Sequence, residues 1–448
     1  MHRFFSTAYG RLLHVFSLVV LLNVLWFSPY ELENTPSVSQ PKIVPLRGSP
    51  DWEGSCGQAW QSNYAALHSR IVTGSAPLRT LVSVAVEAGV ADRLSGLTSQ
   101  FLMAMIQGRA IQHISYGNVP DWEVAYSMPR IAARAPRLND DILGCAKFTF
   151  RGERGYVGPR EHDPKVVDQS EFYPLDLTND YMGLANDIFT SRDLTKIPEG
   201  HSNTATIVSA SNRGRSFALF DNPHHKDTLR SLGLTPENAF SCVHNFLFQL
   251  APSTCDDICR EHAKILDAAG ASGTLRIAIH VRTGDNAFTA TENSLAPWQD
   301  AQAHFTCAEE IAATRTGPGQ QVLFYFNSDS LPLRRAAAER YGSRLLTDLR
   351  TAGQTDCSFH GGCNSVNASF QLAVAQLDLF SRADVHVVSI GSGYGAMGAW
   401  MSALKRHGES IPRNRSSHIY RVSNGEFRDC TPSAADDARD VAQGWAGF

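Results

Sequence analysis

The stretch Leu275-Arg-Ile-Ala-Ile-His-Val-Arg-Thr-Gly-Asp285 runs from mostly apolar residues straight into a polar loop. Its first part, residues 275–281, predicts a strand that is buried in a sheet. In an open α/β sheet, ligands bind in the crevice outside the carboxyl ends of the strands. His280, Arg282 and Asp285 therefore stand at the point of the chain where a ligand would bind.

Arg282 has the chemistry of a phosphate ligand, because its guanidinium can donate two parallel hydrogen bonds. Gly284 allows a ligand to approach the backbone closely. A structural interpretation stays open beside this one, in which His280 lies in the core while Arg282 and Asp285 form an ordinary surface pair. The six residues from His280 to Asp285 are more specific as a unit than any of them alone.

Strand patterns alternate with helix patterns on both sides of this stretch. Such an alternation predicts parallel sheets that are covered by helices on both faces. Two halves of this kind predict an α/β protein with two facing Rossmann-like domains, which we place at residues 78–265 and 266–430. The predicted strands are 81–86, 109–114, 204–209, 275–281, 322–326, 344–347 and 385–389, and the predicted helices are one capped by Asp92 and those at 332–341, 367–382 and 396–405.

Residues 12–27 form an almost uninterrupted apolar run, close to the shortest length that spans a bilayer. Arg3 and Arg11 precede the run, and basic residues favour the cytoplasmic side, so the rest of the chain is expected in the lumen. A cleaved signal peptide is the alternative, and it also places the chain in the secretory pathway. The segments expected outside the two domains are a cytoplasmic tail with a transmembrane signal-anchor at 1–30, a stem at 31–77 and a tail at 431–448.

The chain has nine cysteines, which is many for a cytosolic protein and ordinary for a secretory one. Cys255 with Cys259, and Cys357 with Cys363, are close enough in the sequence for short-loop disulfides. Cys357, His360 and Cys363 also approach the spacing of a zinc site, although no second pair of ligands accompanies them. The odd count leaves at least one cysteine without a partner inside the chain.

The composition is that of a globular protein, with 43% hydrophobic and 19% charged residues. The formal net charge of -4 and the lack of a dense Lys/Arg run give no reason to expect a nucleic-acid partner. The sequence contains no Asp-x-Asp triplet, the arrangement with which many nucleotide-sugar enzymes hold a divalent metal on a diphosphate. Arg282 and helix dipoles would therefore have to neutralise an anionic leaving group.

Three further places have residues that suit a nucleotide. The turn Gly391-Ser-Gly-Tyr-Gly395 precedes a predicted helix, whose first N–H groups would suit a diphosphate, although the glycines could also mark only a turn. The loop Gly89-Val-Ala-Asp-Arg93 joins a strand to a helix, and Asp92 could be a plain helix cap. Asp378 could accept two hydrogen bonds from guanine, or it could be a solvated helix residue.

Together these residues resemble the motifs of the GDP-fucose-dependent fucosyltransferase superfamily. The loop from Gly89 to Arg93 resembles the N-terminal loop of this family, which faces the donor. The first motif is matched by His280-Val-Arg-Thr-Gly-Asp285, the second by Phe326-Asn-Ser-Asp-Ser330, and the third by Asp378-Leu-Phe-Ser-Arg-Ala-Asp384 followed by Ser392-Gly-Tyr-Gly395.

The resemblance implies a GT-B fold and inversion at the anomeric carbon without a metal or another cofactor. It implies that Arg282 binds the donor diphosphate, that Asp378 contacts guanine and that residues 392–395 lie by the phosphates. The catalytic base differs among subfamilies, and here it would be Asp285 or Glu292. The donor-binding residues assigned in this way are His280, Arg282, Gly284, Asp329, Asp378, Ser392, Gly393, Tyr394, Gly395, Asp92 and Arg93.

Two positions depart from the pattern of the family. Thr283 stands where many members have a second arginine in the first motif. The third motif usually contains Ser-Ser or Ser-Phe-Ser, whereas this chain has Gly391-Ser-Gly-Tyr-Gly395. The nucleotide is therefore better supported than the sugar attached to it.

The sequence thus predicts a Golgi type II membrane fucosyltransferase that transfers L-fucose from GDP-fucose to a hydroxyl of a glycan or glycoprotein. Its expected partners are this donor, the acceptor and, through the N-terminal helix, the membrane. Two alternatives stay open, namely a transferase of the same fold that uses another nucleotide sugar, and a non-catalytic lumenal protein that binds a nucleotide or glycan. A secreted disulfide-rich protein without a nucleotide site is disfavoured, because strand-helix alternation builds its own core.

Overall fold

The computed structural model describes residues 56–85, 88–115, 119–134, 172–177, 184–197, 203–211, 214–284, 298–350, 366–402, 419–422 and 430. These residues all belong to one of the two compact units of the chain, Pro45–Phe448. The other unit, Met1–Val44, lies outside the described residues, and so does the predicted transmembrane anchor. Among the helices that are described, none has the length and the apolar character needed to cross a membrane.

The first half of the described chain is built on a parallel sheet. Its strands are β1 Thr80–Ala85, β2 Ala110–Ser115, β4 Phe172–Asp176 and β5 Thr206–Ala210, with a separate antiparallel pair formed by β3 Tyr126–Ser127 and β6 Gln249–Leu250. The order is β2-β1-β5-β4, and Thr80 stands opposite both Ala110 and Thr206. Every residue of β1 is buried, as expected for a parallel strand covered on both faces. The predicted strands at 81–86, 109–114 and 204–209 are thereby confirmed, whereas β4 was not predicted.

Two helices of the first half differ from the prediction, since α1 was not predicted and α2 begins earlier than predicted. The helices are α1 Gln58–Val72, α2 Val90–Gln107, α3 Leu184–Ser191, α4 Lys226–Ser231 and α5 Ala239–Leu247. Helix α1 buries Trp60 and Tyr64, and the Tyr64 hydroxyl accepts a hydrogen bond from the backbone of β2, so folded structure begins inside the stretch expected to be a stem. Helix α2 begins after Gly89, which places Asp92 in its first turn and not at its cap.

The second half is built on a five-stranded sheet whose strand pairs are all parallel. Its strands are β7 Leu275–Val281, β8 Val322–Ser328, β9 Leu345–Leu346, β10 Val385–Ser389 and β11 Ile419–Val422. The order is β11-β10-β7-β8-β9, so β7 is the central strand. The predicted bounds of β7 and β10 are confirmed to the residue, and β11 was not predicted. The term carboxyl edge is used below for the side of a sheet that contains the carboxyl ends of its parallel strands.

The helices of the second half alternate with these strands. They are α6 Asp257–Ala271, α7 Gln299–Arg315, α8 Leu331–Tyr341, α9 Val366–Phe380 and α10 Gly393–Met401. Helix α10 begins at Gly393 and not at the predicted Ala396, because Ser392 caps it by accepting a hydrogen bond from the Gly395 N–H. Helix α6 packs beside β7 and α9, so the predicted domain boundary at residue 265 falls inside a helix of the second half.

The apolar core is continuous from the first half to one face of the second sheet. Trp400 of α10 contacts Phe217 and Phe240 of the first half, with ring centroids 5.2 and 5.8 Å apart. Ser241 of α5 also donates a hydrogen bond to the Trp400 carbonyl. A separate apolar cluster fills the opposite face of the second sheet, under α7 and α8. The two halves are therefore joined by buried apolar contact through α10.

Three disulfides are present among the described residues. Cys255 and Cys259 are paired, as their spacing predicts. Two pairings were not predicted, Cys56–Cys242 and Cys307–Cys430, and each joins segments that are far apart in the sequence. Each long-range bridge restricts the unfolded chain, which typically stabilises a fold by about 2–4 kcal/mol. Cys357, His360 and Cys363 lie outside the described residues.

We predict that Gly398→Ala destabilises the protein. An added Cβ would lie 2.5 Å from Cδ1 of Phe380 and 3.2 Å from Cδ1 of Leu377, where α10 packs against α9. Overpacking costs about 1–3 kcal/mol, more than the gain of roughly 1 kcal/mol that alanine brings inside a helix. Urea unfolding measures the difference. The matched control is Gly317→Ala, whose Cβ meets nothing within 4 Å, and a Gly398→Ala variant as stable as this control would contradict the close packing.

Candidate functional site

Arg282 follows β7 directly and lies at the carboxyl edge of the second sheet. Its backbone N–H donates a hydrogen bond to Ser389 Oγ at the end of the neighbouring strand, over 3.0 Å. Its Nη1 donates to Asp329 Oδ2 over 2.8 Å. One third of the side chain (33%) is exposed. The guanidinium therefore reaches the surface although it is paired with Asp329.

Asp329 fixes the loop that carries Arg282. Its carboxylate is 4% exposed and accepts hydrogen bonds from the Thr283 N–H, the Thr283 hydroxyl and the Gly284 N–H, as well as from Arg282. This contact is possible because β7 and β8 are paired in parallel, with Val281 opposite Ser328. Asp329 was assigned to the donor from the resemblance, and the structure places it underneath the loop. Thr283, which stands in place of a second arginine, is a ligand of the same carboxylate.

His280 is buried behind the loop, with 4% of its surface exposed. Burial lowers its pKa to about 3, with a further contribution from Arg282, so the imidazole is uncharged at neutral pH. Its Nδ1 is hydrogen-bonded to the Ser392 hydroxyl over 3.3 Å, and its ring lies 5.3 Å from that of Tyr394. The neutral, buried imidazole of His280 thus stabilises the start of α10 and does not attract a diphosphate by its charge.

The amino end of α10 lies beside the Arg282 loop, because β10, which leads into it, is the neighbour of β7. Gly395 is in close contact with the sheet, since an added Cβ would lie 3.0 Å from Val388 and 3.1 Å from His280 Nδ1. The first N–H groups of a helix and its dipole favour an anion such as a phosphate. The structure therefore brings Arg282, Gly284 and residues 392–395 together at one edge of the sheet.

Three polar residues that the sequence did not assign to the site support this edge from within. Ser389 Oγ accepts the Arg282 N–H and is hydrogen-bonded to Nε2 of His304, a buried residue of α7, over 3.0 Å. Asn327, at the end of β8, donates a hydrogen bond to the Tyr394 hydroxyl over 3.3 Å. Ser389 and Asn327 lie at the ends of predicted strands, and these positions could have indicated that they support the site. Nothing in the sequence pattern connects His304 to them.

Asp378 is not brought next to Arg282. It lies near the carboxyl end of α9, is 20% exposed, and forms an ion pair with Arg382 at 2.9 Å. Arg382 also contacts Asp267 of α6 at 2.7 Å. Because α9 ends just before β10 begins, this cluster lies at the edge where the strands of the second sheet start. The predicted guanine contact would have to be made from that side.

Asp92 and Arg93 lie in the first turn of α2, in the first half. Arg93 is 3% exposed, and its Nη2 donates a hydrogen bond to the Pro120 carbonyl over 2.6 Å. Its guanidinium carbon lies 4.4 Å from the ring centroid of Trp122 and 4.9 Å from that of Phe370. Burial lowers its pKa to about 9. Arg93 therefore lies within the contact between the halves, whereas Asp92 is half-buried at the start of its helix.

The two residues predicted to supply the catalytic base, Asp285 and Glu292, lie outside the described residues. In the part of the chain that the structure describes, no group of three or more His, Cys, Asp or Glu side chains is arranged to hold a metal ion.

Comparison with known proteins gives a likeness of fold. No protein-family model matches the chain, and no curated protein matches its sequence. A solved structure of an Arabidopsis thaliana FUT1 mutant in complex with GDP matches 82% of this chain and 80% of its own, with a TM-score of 0.52 at 14% identity. NodZ, a fucosyltransferase from Bradyrhizobium, is 12% identical, with 72% and 92% covered and a TM-score of 0.41. POFUT1 in complex with GDP is 10% identical, with 78% and 99% covered and a TM-score of 0.35.

The likeness to FUT1 confirms the predicted α/β class and shows that this chain shares the fold of that structure. The other two scores are lower and add no argument of their own. The match extends over both sheets, since four-fifths of each chain is covered.

We predict that Asp329→Asn loosens the Arg282 loop. An amide keeps one acceptor oxygen and turns an NH₂ group toward the N–H and O–H donors that the carboxylate now accepts. Leaving buried polar groups unpaired costs about 1–3 kcal/mol, which urea unfolding would detect. The control is Asp257→Asn, at a carboxylate that is 98% exposed and paired with Arg260. Equal unfolding midpoints for the two variants would show that Asp329 does not hold the loop.

Proposed function

We propose that this chain is a glycosyltransferase that transfers L-fucose from GDP-fucose to a hydroxyl of a glycan or glycoprotein, with inversion at the anomeric carbon. The observation that carries the proposal is the pairing of a partly exposed arginine, Arg282, with the amino end of α10 at one carboxyl edge. Both favour a dianionic diphosphate, and the structure holds both by buried contacts.

The geometry supports a diphosphate in preference to a neutral ligand. Arg282 is anchored through its backbone by Ser389 and through its guanidinium by Asp329, so little ordering is left to be done when an anion binds. The N–H groups at the start of α10 add a fixed dipole of positive sign. His280 forms a hydrogen bond with Ser392 at the start of α10 and is itself uncharged at neutral pH.

The reaction requires stabilisation of the leaving GDP and removal of a proton from the acceptor hydroxyl. Arg282 and the α10 dipole are placed to stabilise the charge that develops on the diphosphate, a role that metals fill in other transferases. The proton requires a base, and the sequence predicts Asp285 or Glu292 directly after the loop. The fold match to a GDP complex of FUT1 supports the choice of a guanine nucleotide.

The proposed location is the Golgi membrane, with type II topology and the catalytic part in the lumen. The apolar run at 12–27, with Arg3 and Arg11 before it, supports a signal-anchor. The disulfides Cys56–Cys242 and Cys307–Cys430 support an oxidising compartment.

We expect GDP to raise the melting temperature of the protein, and by the same amount in buffer with EDTA as in buffer with magnesium. A ligand that binds only the folded state stabilises it by RT ln(1 + [L]/Kd), about 2.7 kcal/mol at a hundredfold excess over Kd. Thermal unfolding with GDP, UDP and CMP tests which nucleobase the protein binds. A panel of GDP-fucose, GDP-mannose and UDP-sugars, read by nucleotide release, then tests the sugar. Stabilisation by UDP alone, or only with magnesium, would contradict the proposal.

We expect Arg282→Ala to weaken GDP binding by about 1.5–3 kcal/mol, the usual cost of losing a charge-assisted hydrogen bond. This corresponds to a Kd roughly 10- to 150-fold higher, measurable by calorimetry. The control is Arg260→Ala, which removes an exposed arginine of α6 that pairs with Asp257. If GDP binds Arg282→Ala as tightly as the parent, the diphosphate site lies elsewhere.

A further inference from the structure

A histidine and a glutamate of the first half form a pair that the donor site does not use. His113, near the end of β2, is 3% exposed, and its Nε2 lies 3.1 Å from Oε2 of Glu123. Glu123 belongs to a single 3-10 turn, Trp122–Val124, and its side chain is 35% exposed. The buried member of the pair is thus the imidazole, and the carboxylate is the member that reaches solvent.

This pair lies where the carboxyl edges of the two sheets meet. Phe370 and Gln371 are in the second turn of α9, and the amino end of that helix lies at the carboxyl edge of the second sheet because the helix returns to the start of β10. The Trp122 ring lies 5.7 Å from that of Phe370, and Gln371 Nε2 donates a hydrogen bond to the Val124 carbonyl over 2.8 Å. Glu123 stands between these two contacts in the sequence. It therefore lies beside the amino end of α9, on the side of the second sheet at which β7 ends and Arg282 follows.

The hydrogen bonding of His113 is poor for a purely structural residue. Its backbone N–H is bonded to the Ala133 carbonyl, but its buried ring Nδ1 has no hydrogen-bond partner among the described residues. An unsatisfied buried polar atom costs about 1–3 kcal/mol. A leucine at this position would avoid that cost, so the pair is better explained by an effect on Glu123 than by stability. Buried polar groups without a structural benefit are candidates for function.

The charges around Glu123 keep its carboxylate ionised. Burial raises its pKa, but the hydrogen bond and charge of His113, together with Arg134, outweigh burial and leave the pKa below its usual value. The other charged group of this turn, Asp121, is 41% exposed and lies 3.7 Å from Arg134. An ionised carboxylate that is held by one oxygen has its other oxygen available to accept a proton.

We propose that Glu123 is the general base that takes the proton from the acceptor hydroxyl, and that His113 is the residue that positions it. The inference rests on the proposed function. In the step, the acceptor oxygen forms a bond to the anomeric carbon of fucose while the bond from that carbon to the β-phosphate oxygen breaks. The electron pair of the broken bond leaves with GDP, and the proton of the hydroxyl passes to Oε1 of Glu123, the oxygen that His113 does not contact.

Azide separates this role from any effect on donor binding. Azide is already an anion and has no proton to lose, so it attacks the anomeric carbon without a base. With GDP-fucose and water as the acceptor, Glu123→Gln should release GDP about 10²- to 10⁴-fold more slowly than the parent. With GDP-fucose and sodium azide, the azide-dependent release should equal that of the parent. Unchanged release with water, or equal loss with water and azide, would overturn the proposal.

Variants of other carboxylates show whether a loss of GDP release is specific to Glu123. Glu309→Gln changes a glutamate of similar exposure, 40%, that is paired with Arg344, and it should leave both rates unchanged. Asp285→Asn and Glu292→Gln test the bases predicted from the sequence. A loss with water that azide restores in one of these two, alongside an unaffected Glu123→Gln, would assign the base to that residue and overturn ours.

His113 is tested by two substitutions. Gln at this position can still donate a hydrogen bond to Glu123, whereas Leu cannot. We expect His113→Leu to lower the rate with water on the order of 10- to 100-fold, as misplacement of a reacting group does, and His113→Gln to retain most of it. GDP affinity and azide-dependent release should be unchanged in both, and equal water rates for the two variants would remove His113 from its positioning role.

Measurements on the parent protein distinguish a failure of the proposed function from a failure of the assignment of Glu123. If the parent binds GDP but releases none from GDP-fucose with either nucleophile, the proposed function fails and the base fails with it. If the parent is active and Glu123→Gln is equally active with water, only the assignment of Glu123 fails.

Discussion

The buried carboxylate of Asp329 determines the conformation of the loop on which the candidate site depends. It accepts hydrogen bonds from two backbone N–H groups, one hydroxyl and one guanidinium of residues 282–284. A loop of three residues has few other ways to satisfy these donors, so one side chain from the neighbouring strand sets both the backbone path and the direction of Arg282. The parallel register of β7 and β8 is what makes that side chain available.

The rest of this edge is supported by uncharged polar contacts. The His280–Ser392 and His304–Ser389 hydrogen bonds hold the start of α10 and the backbone of Arg282 from inside the second half. Neither contact requires a charged partner, since each joins an imidazole to a serine hydroxyl.

Helix α10 has two functions in this architecture. Its amino end forms one side of the candidate donor site, and Trp400 near its other end packs on Phe217 and Phe240 of the first half. The helix can lie this close to its neighbours because it is rich in glycine, as Gly395 on the sheet and Gly398 on Phe380 show. Donor binding and the contact between the halves therefore share one rigid element.

The sequence alone determined four of the five strands of the second sheet, because largely apolar runs such as 275–281 and 385–389 suit strands that are covered on both faces of a parallel sheet. It also determined that Arg282 and the Ser392 turn each follow a strand of the second half, whereas the structure decided that these two strands are neighbours. Helix starts were predicted less closely, since Gly89 caps α2 where Asp92 was expected, and α10 begins after Ser392 and not at Ala396. Only the tertiary structure decided that Asp378 lies at the far edge, that His280 is buried and neutral, and that His113 meets Glu123. Those outcomes depend on which segments pack together across long sequence separations, and local periodicity contains no record of such contacts.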